Sequence, residues 1–157
     1  MNKFLLIIIT LVMSIPLSAQ RVYKGNSTYS SDIVCNLRDG RVYKGSSSYI
    51  CDILLNIYGN CIYKGSSRYS SDIVCNLKEN KVYRGTSAYS SDVVFTIRDS
   101  KIYKGNSTYS SDIIANIKNG KVYRGNSSYS SDILFRIDKE ITMVEFVAIF
   151  WTVNYIW

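Results

Sequence analysis

From Arg21 onward, apolar and polar residues alternate in short runs that restart every twenty residues. Ile33-Val34-Cys35-Asn36-Leu37-Arg38 is rich in strand formers, Asp39-Gly40 is a two-residue turn signal, and Arg41-Val42-Tyr43-Lys44 again reads as strand. Asp-Gly suits a type I′ hairpin, in which both central residues take positive φ. Asn119-Gly120 repeats the signal, and Gly59-Asn60, Glu79-Asn80 and Asp99-Ser100 are weaker forms of it. Pairing across the turn sets Arg38 opposite Arg41, Leu37 opposite Val42 and Asn36 opposite Tyr43. Strand alternation then predicts that Ile33, Cys35, Leu37 and Val42 share one apolar face, with Val34, Asn36 and Tyr43 on a mixed one. The adjacent pair Ile33-Val34 predicts that the start of this strand is covered on both sides.

Six copies of the unit begin at Arg21, Arg41, Cys61, Lys81, Lys101 and Lys121 and run to Glu140. Tyr, Gly, Ser, Tyr and Asp keep the third, fifth, seventh, ninth and twelfth places in all six. A strict period without insertions means one small unit that buries its apolar face against its neighbours. Between hairpins run Gly25-Asn26-Ser27-Thr28-Tyr29-Ser30-Ser31-Asp32 and its equivalents, where small hydroxyl residues and Asp favour bends by bonding nearby amides. The tyrosines of this connection, Tyr29 through Tyr129, are expected to pack over the sheet edge. The expected fold is an all-β repeat protein, with six hairpins closed into a shallow ring or barrel of pseudo-sixfold symmetry. A propeller blade needs about twice this repeat length. A β-solenoid is the rival, although its open ends need caps.

After Glu140 the period changes. Thr142 followed by Glu145 is a capping box, and Phe146, Ile149, Phe150, Val153 and Trp157 follow at helical spacing. A helix over 141–157 is expected to pack on or in the ring, whose centre needs filling. A membrane interface and an oligomer contact are the alternatives. The segment is short of the roughly 20 residues of a bilayer span.

At the other end, residues 1–19 read as a signal peptide. Lys3 is followed by an apolar stretch from Phe4 to Ile15 and by Pro16-Leu17-Ser18-Ala19. An uncleaved anchor is the alternative. Cleavage near Ala19 implies export to a bacterial periplasm, outer-membrane surface or exterior, leaving residues 20–140 as the repeat domain. Export admits disulfides. Cys35 and Cys75, however, occupy an apolar place filled elsewhere by Leu55, Phe95, Ala115 and Phe135, while Cys51 and Cys61 replace a Ser and a basic residue. Free or buried thiols are expected, with one disulfide as the alternative.

The formal charge of +7 favours anionic partners. Under sixfold symmetry Lys24, Lys44, Lys64, Arg84, Lys104 and Arg124 form a basic ring, and Asp32, Asp52, Asp72, Asp92, Asp112 and Asp132 an acidic one. The basic ring is the candidate site for an anionic ligand; pairing with the neighbouring Asp residues is the bland alternative. The chain has no histidine, so a reactive serine would lack its usual base. No metal knuckle appears, no cofactor is expected, and no cluster of bases interleaved with aromatics points to nucleic acid. Fourteen tyrosines beside Asn and Asp offer a platform for sugars, although Tyr is also a good sheet residue.

The run VYKGNSTYSSDI, followed by a hairpin, resembles the β-flower repeat proteins over Arg21–Glu140. That resemblance implies a symmetric shallow barrel of roughly twenty-residue petals. Because that fold has been compared with the tubby-like barrel, it also implies phospholipid or peripheral membrane association, and it carries over no catalytic residue. The expected role is a non-enzymatic exported binding or scaffold protein at the cell envelope, with anionic phospholipid headgroups as the first candidate ligand. A secreted glycan-binding or purely structural module is the alternative.

Overall fold

The computed structural model describes residues 19–156; the signal-peptide reading falls, except for Ala19, outside the described residues. The strands are β1 (Gln20–Lys24), β2 (Ile33–Arg38), β3 (Arg41–Lys44), β4 (Ile53–Tyr58), β5 (Cys61–Lys64) and β6 (Ile73–Lys78). They continue as β7 (Lys81–Arg84), β8 (Val93–Arg98), β9 (Lys101–Lys104), β10 (Ile113–Lys118), β11 (Lys121–Arg124) and β12 (Ile133–Ile137). Each strand pairs antiparallel with its neighbours in the chain, and β1 pairs with β12, so the sheet closes into a barrel. Closure leaves no open sheet edge and excludes the solenoid.

The turn chemistry acts as the sequence predicts. Asp39 and Gly40 have φ of 50° and 69°, Asn119 and Gly120 have 52° and 70°, and Asp99 and Ser100 have 51° and 60°. Across the first turn Arg38 faces Arg41, Leu37 faces Val42 and Asn36 faces Tyr43. Five two-residue turns join neighbouring strands, and at Gly59-Asn60 and Glu79-Asn80 the first residue takes positive φ; the sixth hairpin has no turn. The chain's first and last strands meet there, with Val22 opposite Ile137 and the Arg21 amide donating to Asp138 Oδ1 at 2.8 Å.

One feature of the strand faces departs from simple alternation. Tyr23 lies opposite Ile33 while Val22 lies opposite Cys35, so Val34 is an extra residue in its strand, a β-bulge. The same shift recurs in every copy. Ile33 therefore does not share the face of Cys35, Leu37 and Val42; the bulge turns it to the side of Tyr23 and Asn36. The bulge residues Leu54, Val74, Val94, Ile114 and Leu134 pack on the central core instead. The bulged carbonyl stays bonded, since Val34 O accepts from the Gly45 amide at 2.9 Å.

The barrel thus has two apolar layers. Val22, Cys35, Leu37 and Val42 point into the lumen and are fully buried. On the outer face Tyr43 is 5% exposed and Asn36 2%, because the next connection folds over them. Asn36 Nδ2 donates to Gly45 O at 2.8 Å and Ser47 O at 2.9 Å. These wrapped connections are the petals, and each contains a single 3₁₀ turn such as Ser30–Asp32.

The lumen is filled by α1 (Met143–Trp151), which continues as a π-helical turn over Thr152–Ile156. The regular helix is shorter than the sequence pattern suggests, and Trp157 lies outside the described residues. Thr142 and Glu145 form the expected capping box. Phe146, Val147, Ala148, Ile149 and Phe150 are all buried. Five consecutive buried residues cover every side of a helix, so this one is surrounded rather than laid on a surface. Phe150 meets Phe95 edge-on with centroids 5.2 Å apart, and meets Phe135 and Phe146 at 6.4 and 5.9 Å.

Candidate functional site

Three observations orient the helix in the barrel. Its start lies with the hairpin turns, where a cavity of ≈ 350 Å³ is bounded by Ser100, Gly120, Ile141, Met143 and Phe146. Its far end lies at the opposite rim, where Trp151, Tyr155 and Ile156 share a depression of ≈ 430 Å³ with Leu54, Lys64 and Val74. Arg84 of the same rim is close enough to act on Tyr155, whose hydroxyl pKa burial raises in spite of the opposing pull of that guanidinium. The helix therefore crosses the lumen and emerges among the bases.

Those bases are Lys24, Lys44, Lys64, Arg84, Lys104 and Arg124, the ring expected from the repeat. Each is the last residue of its strand, and all six are exposed. Barrel closure sets them around the rim from which Tyr155 and Ile156 project, 49% and 43% exposed. The acidic ring has a different task. Asp32 Oδ2 accepts from the Ser27 hydroxyl at 2.5 Å, Ser27 Oγ accepts from the Tyr29 amide at 3.1 Å, and the Asp32 amide donates to Tyr29 O at 3.0 Å. The same Ser–Asp bond recurs in the other five copies. These carboxylates hold the petal turn.

That turn corrects the expectation for the tyrosines. Tyr29, Tyr49, Tyr69, Tyr89, Tyr109 and Tyr129 are 72–77% exposed and do not cover the sheet edge. Each precedes its 3₁₀ turn in extended backbone, Tyr29 at φ −79°, ψ 142°, which stands the side chain outward. In the second copy Tyr49 borders a shallow depression of ≈ 650 Å³ with Lys44, Ser46, Ser48 and Asp52. Composition could not separate these six tyrosines from the buried set headed by Tyr23, because Tyr serves both environments.

The four thiols are free. Cys35 and Cys75 are buried in the lumen wall, Cys61 is half-buried and Cys51 exposed. Burial pushes the Cys35 pKa up to about 12. Cys75 is raised as well, mainly by burial and further by neighbouring Cys61. A thiol held in its neutral form is a packing group, not a nucleophile. Among the described residues no three His, Cys, Asp or Glu side chains stand together as a metal set. None of the described helices is long and apolar enough to cross a membrane.

A family model described as "6-fold beta flower protein" matches residues 22–150. The match runs from Val22 through the repeats and on to Phe150, so it takes in all but the last residue of α1. No curated protein and no solved structure matches the chain.

Proposed function

The chain belongs to the 6-fold beta flower family, a structural repeat module, and from that footing we propose that it is an exported, non-enzymatic protein that binds anionic phospholipid surfaces at the cell envelope. The observation that carries the reading is the rim on which six exposed bases encircle the emerging aromatic end of the helix. Bases near an anionic leaflet are each worth about 1 kcal/mol. Tyr155 and half-buried Trp151 are side chains suited to the headgroup level, with an apolar body and a polar tip. The Asp residues are hydrogen-bonded within their own petal turns, and Asp52 borders the same depression as Lys44.

The reading is tested by co-sedimentation of residues 20–157 with phosphatidylcholine vesicles, with and without phosphatidylglycerol, at low and high salt. Binding to the anionic vesicles alone, lost in salt and lost when Lys24, Lys44, Lys64, Arg84, Lys104 and Arg124 are changed to Gln, is the expected result. Equal binding to neutral vesicles, or none to either, refutes it.

A further inference from the structure

Of the twenty places in the repeat, five never vary across the six copies, and the structure accounts for four of them. Tyr23 is buried in the outer layer. Gly25 sits at φ 55°, where a side chain is strained. Ser27 and Asp32 hold the petal turn through their side chains. The fifth, Tyr29, contributes its backbone to that turn, but its ring stands in solvent in every copy. The place just before it holds Thr28, Ser48, Arg68, Ala88, Thr108 and Ser128, so the copies have diverged where nothing constrains them. An aromatic ring kept six times at an exposed place, without a packing role, marks a ligand contact.

We infer that each petal holds one sugar ring bearing a negative charge, presented by an anionic glycolipid, with the tyrosine ring as the platform under the sugar. The second copy has the needed parts around one depression: Tyr49 offers a flat face, Lys44 a cation for the acidic substituent, and Ser46, at a place that is Asn, Ser or Thr in every copy, a polar group for a sugar hydroxyl. Asp52, held by the Ser47 hydroxyl, borders the same depression. The base is kept as Lys or Arg in all six copies, so the aromatic face and the positive charge recur together. A shallow open site of this kind binds weakly alone. Six on one closed ring, meeting lipids held in a plane, gain avidity from effective concentration. The inference rests on the rim reading above for the membrane, and adds which headgroup is preferred.

The test uses phosphatidylcholine vesicles carrying equal fractions of either phosphatidylglycerol, which is anionic without a sugar ring, or glucuronosyl diacylglycerol, whose charge lies on a sugar. The full chain is expected to bind the glucuronosyl vesicles roughly tenfold or more tighter. Changing all six exposed tyrosines to Ala should abolish that preference while leaving phosphatidylglycerol binding and the thermal midpoint in place, and changing them to Phe should keep most of it. Equal binding to both vesicles, or an Ala variant that keeps the preference, overturns the inference and leaves the rim reading intact. Binding to glucuronosyl vesicles alone sinks the rim reading and supports the tyrosine one; binding to neither sinks both. Inhibition by free glucuronate oligosaccharides equal to that by the vesicles would reassign the ligand to soluble glycan and overturn the lipid source.

Discussion

Replacing Phe150 by Ala removes the side chain at the centre of the barrel. Phe150 is 2% exposed and touches three other aromatic rings. Truncating a buried Phe costs about 3–5 kcal/mol, depending on how far the surroundings collapse into the space. Here collapse is resisted, because the wall is a closed hydrogen-bonded barrel that cannot narrow without breaking its pairing. The aromatic contacts, each worth about 0.5–1.5 kcal/mol beyond area, fall within that loss. A cost of about 4 kcal/mol is expected, read as a lowered urea midpoint with an unchanged slope. The thermal midpoint should fall by about 10–20 °C. Trp151→Ala, at a half-buried position, should cost under about 2 kcal/mol. A loss below about 1 kcal/mol for Phe150→Ala would refute the argument that the helix fills the lumen, since a helix resting on the outside would lose no more than that.

Four further outcomes follow from the wall. Ser100 carries φ 60° without being glycine, so Ser100→Gly should raise stability by about 0.5–1 kcal/mol in urea titration. Gly120→Ala should lower it by at least 1 kcal/mol on that scale, because a Cβ at φ 70° would also lie 3.1 Å from Ile137 O; equal midpoints would contradict both. Asn76→Ala strips Gly85 O and Ser87 O of their donors at 2.8 and 2.9 Å and should cost about 1–3 kcal/mol, with faster proteolysis in that connection as the local sign. The buried thiols make stability fall at high pH. Cys35 is raised from 9.0 to about 12, so the folded state keeps its proton where the unfolded chain loses it. Stability is therefore full below about pH 9 and declines as pH rises toward 12, at about 1.4 kcal/mol per unit for each such thiol. Cys35→Ala combined with Cys75→Ala should flatten that decline relative to the parent; Ala115 already fills the same place in the fifth copy. Parallel declines would refute it.

Much of this architecture is legible in the sequence because hairpin chemistry is local. Asp39-Gly40 specifies its own turn, and the turn specifies the pairing of Arg38 with Arg41. The position of Lys24 and its equivalents at one rim follows from that register. What escapes is whatever depends on distant covering. The bulge at Val34 shows only as two neighbouring apolar residues, and its effect on Ile33 depends on pairing with Tyr23, across a connection that carries no simple hairpin turn. The all-round burial of the helix is hidden because Val147 and Ala148 suit either a core or a surface. The exposure of Tyr29 could not be read, because its backbone direction is set by the Ser27–Asp32 bond and Tyr itself is at home in both settings. The ligand chemistry lies further still, in the arrangement of six copies rather than in any one.

The missing sixth turn makes the protein's history depend on time. Arg21 and Asp138 stand side by side though 117 positions apart, so the first strand made waits for the last. At ordinary rates of synthesis that wait is on the order of 10 s. Throughout it the growing sheet has two open edges, each able to pair with a stranger. A nascent chain long enough to hold five hairpins is still a curved ribbon with a bare apolar face. The aromatic helix that covers that face follows all twelve strands.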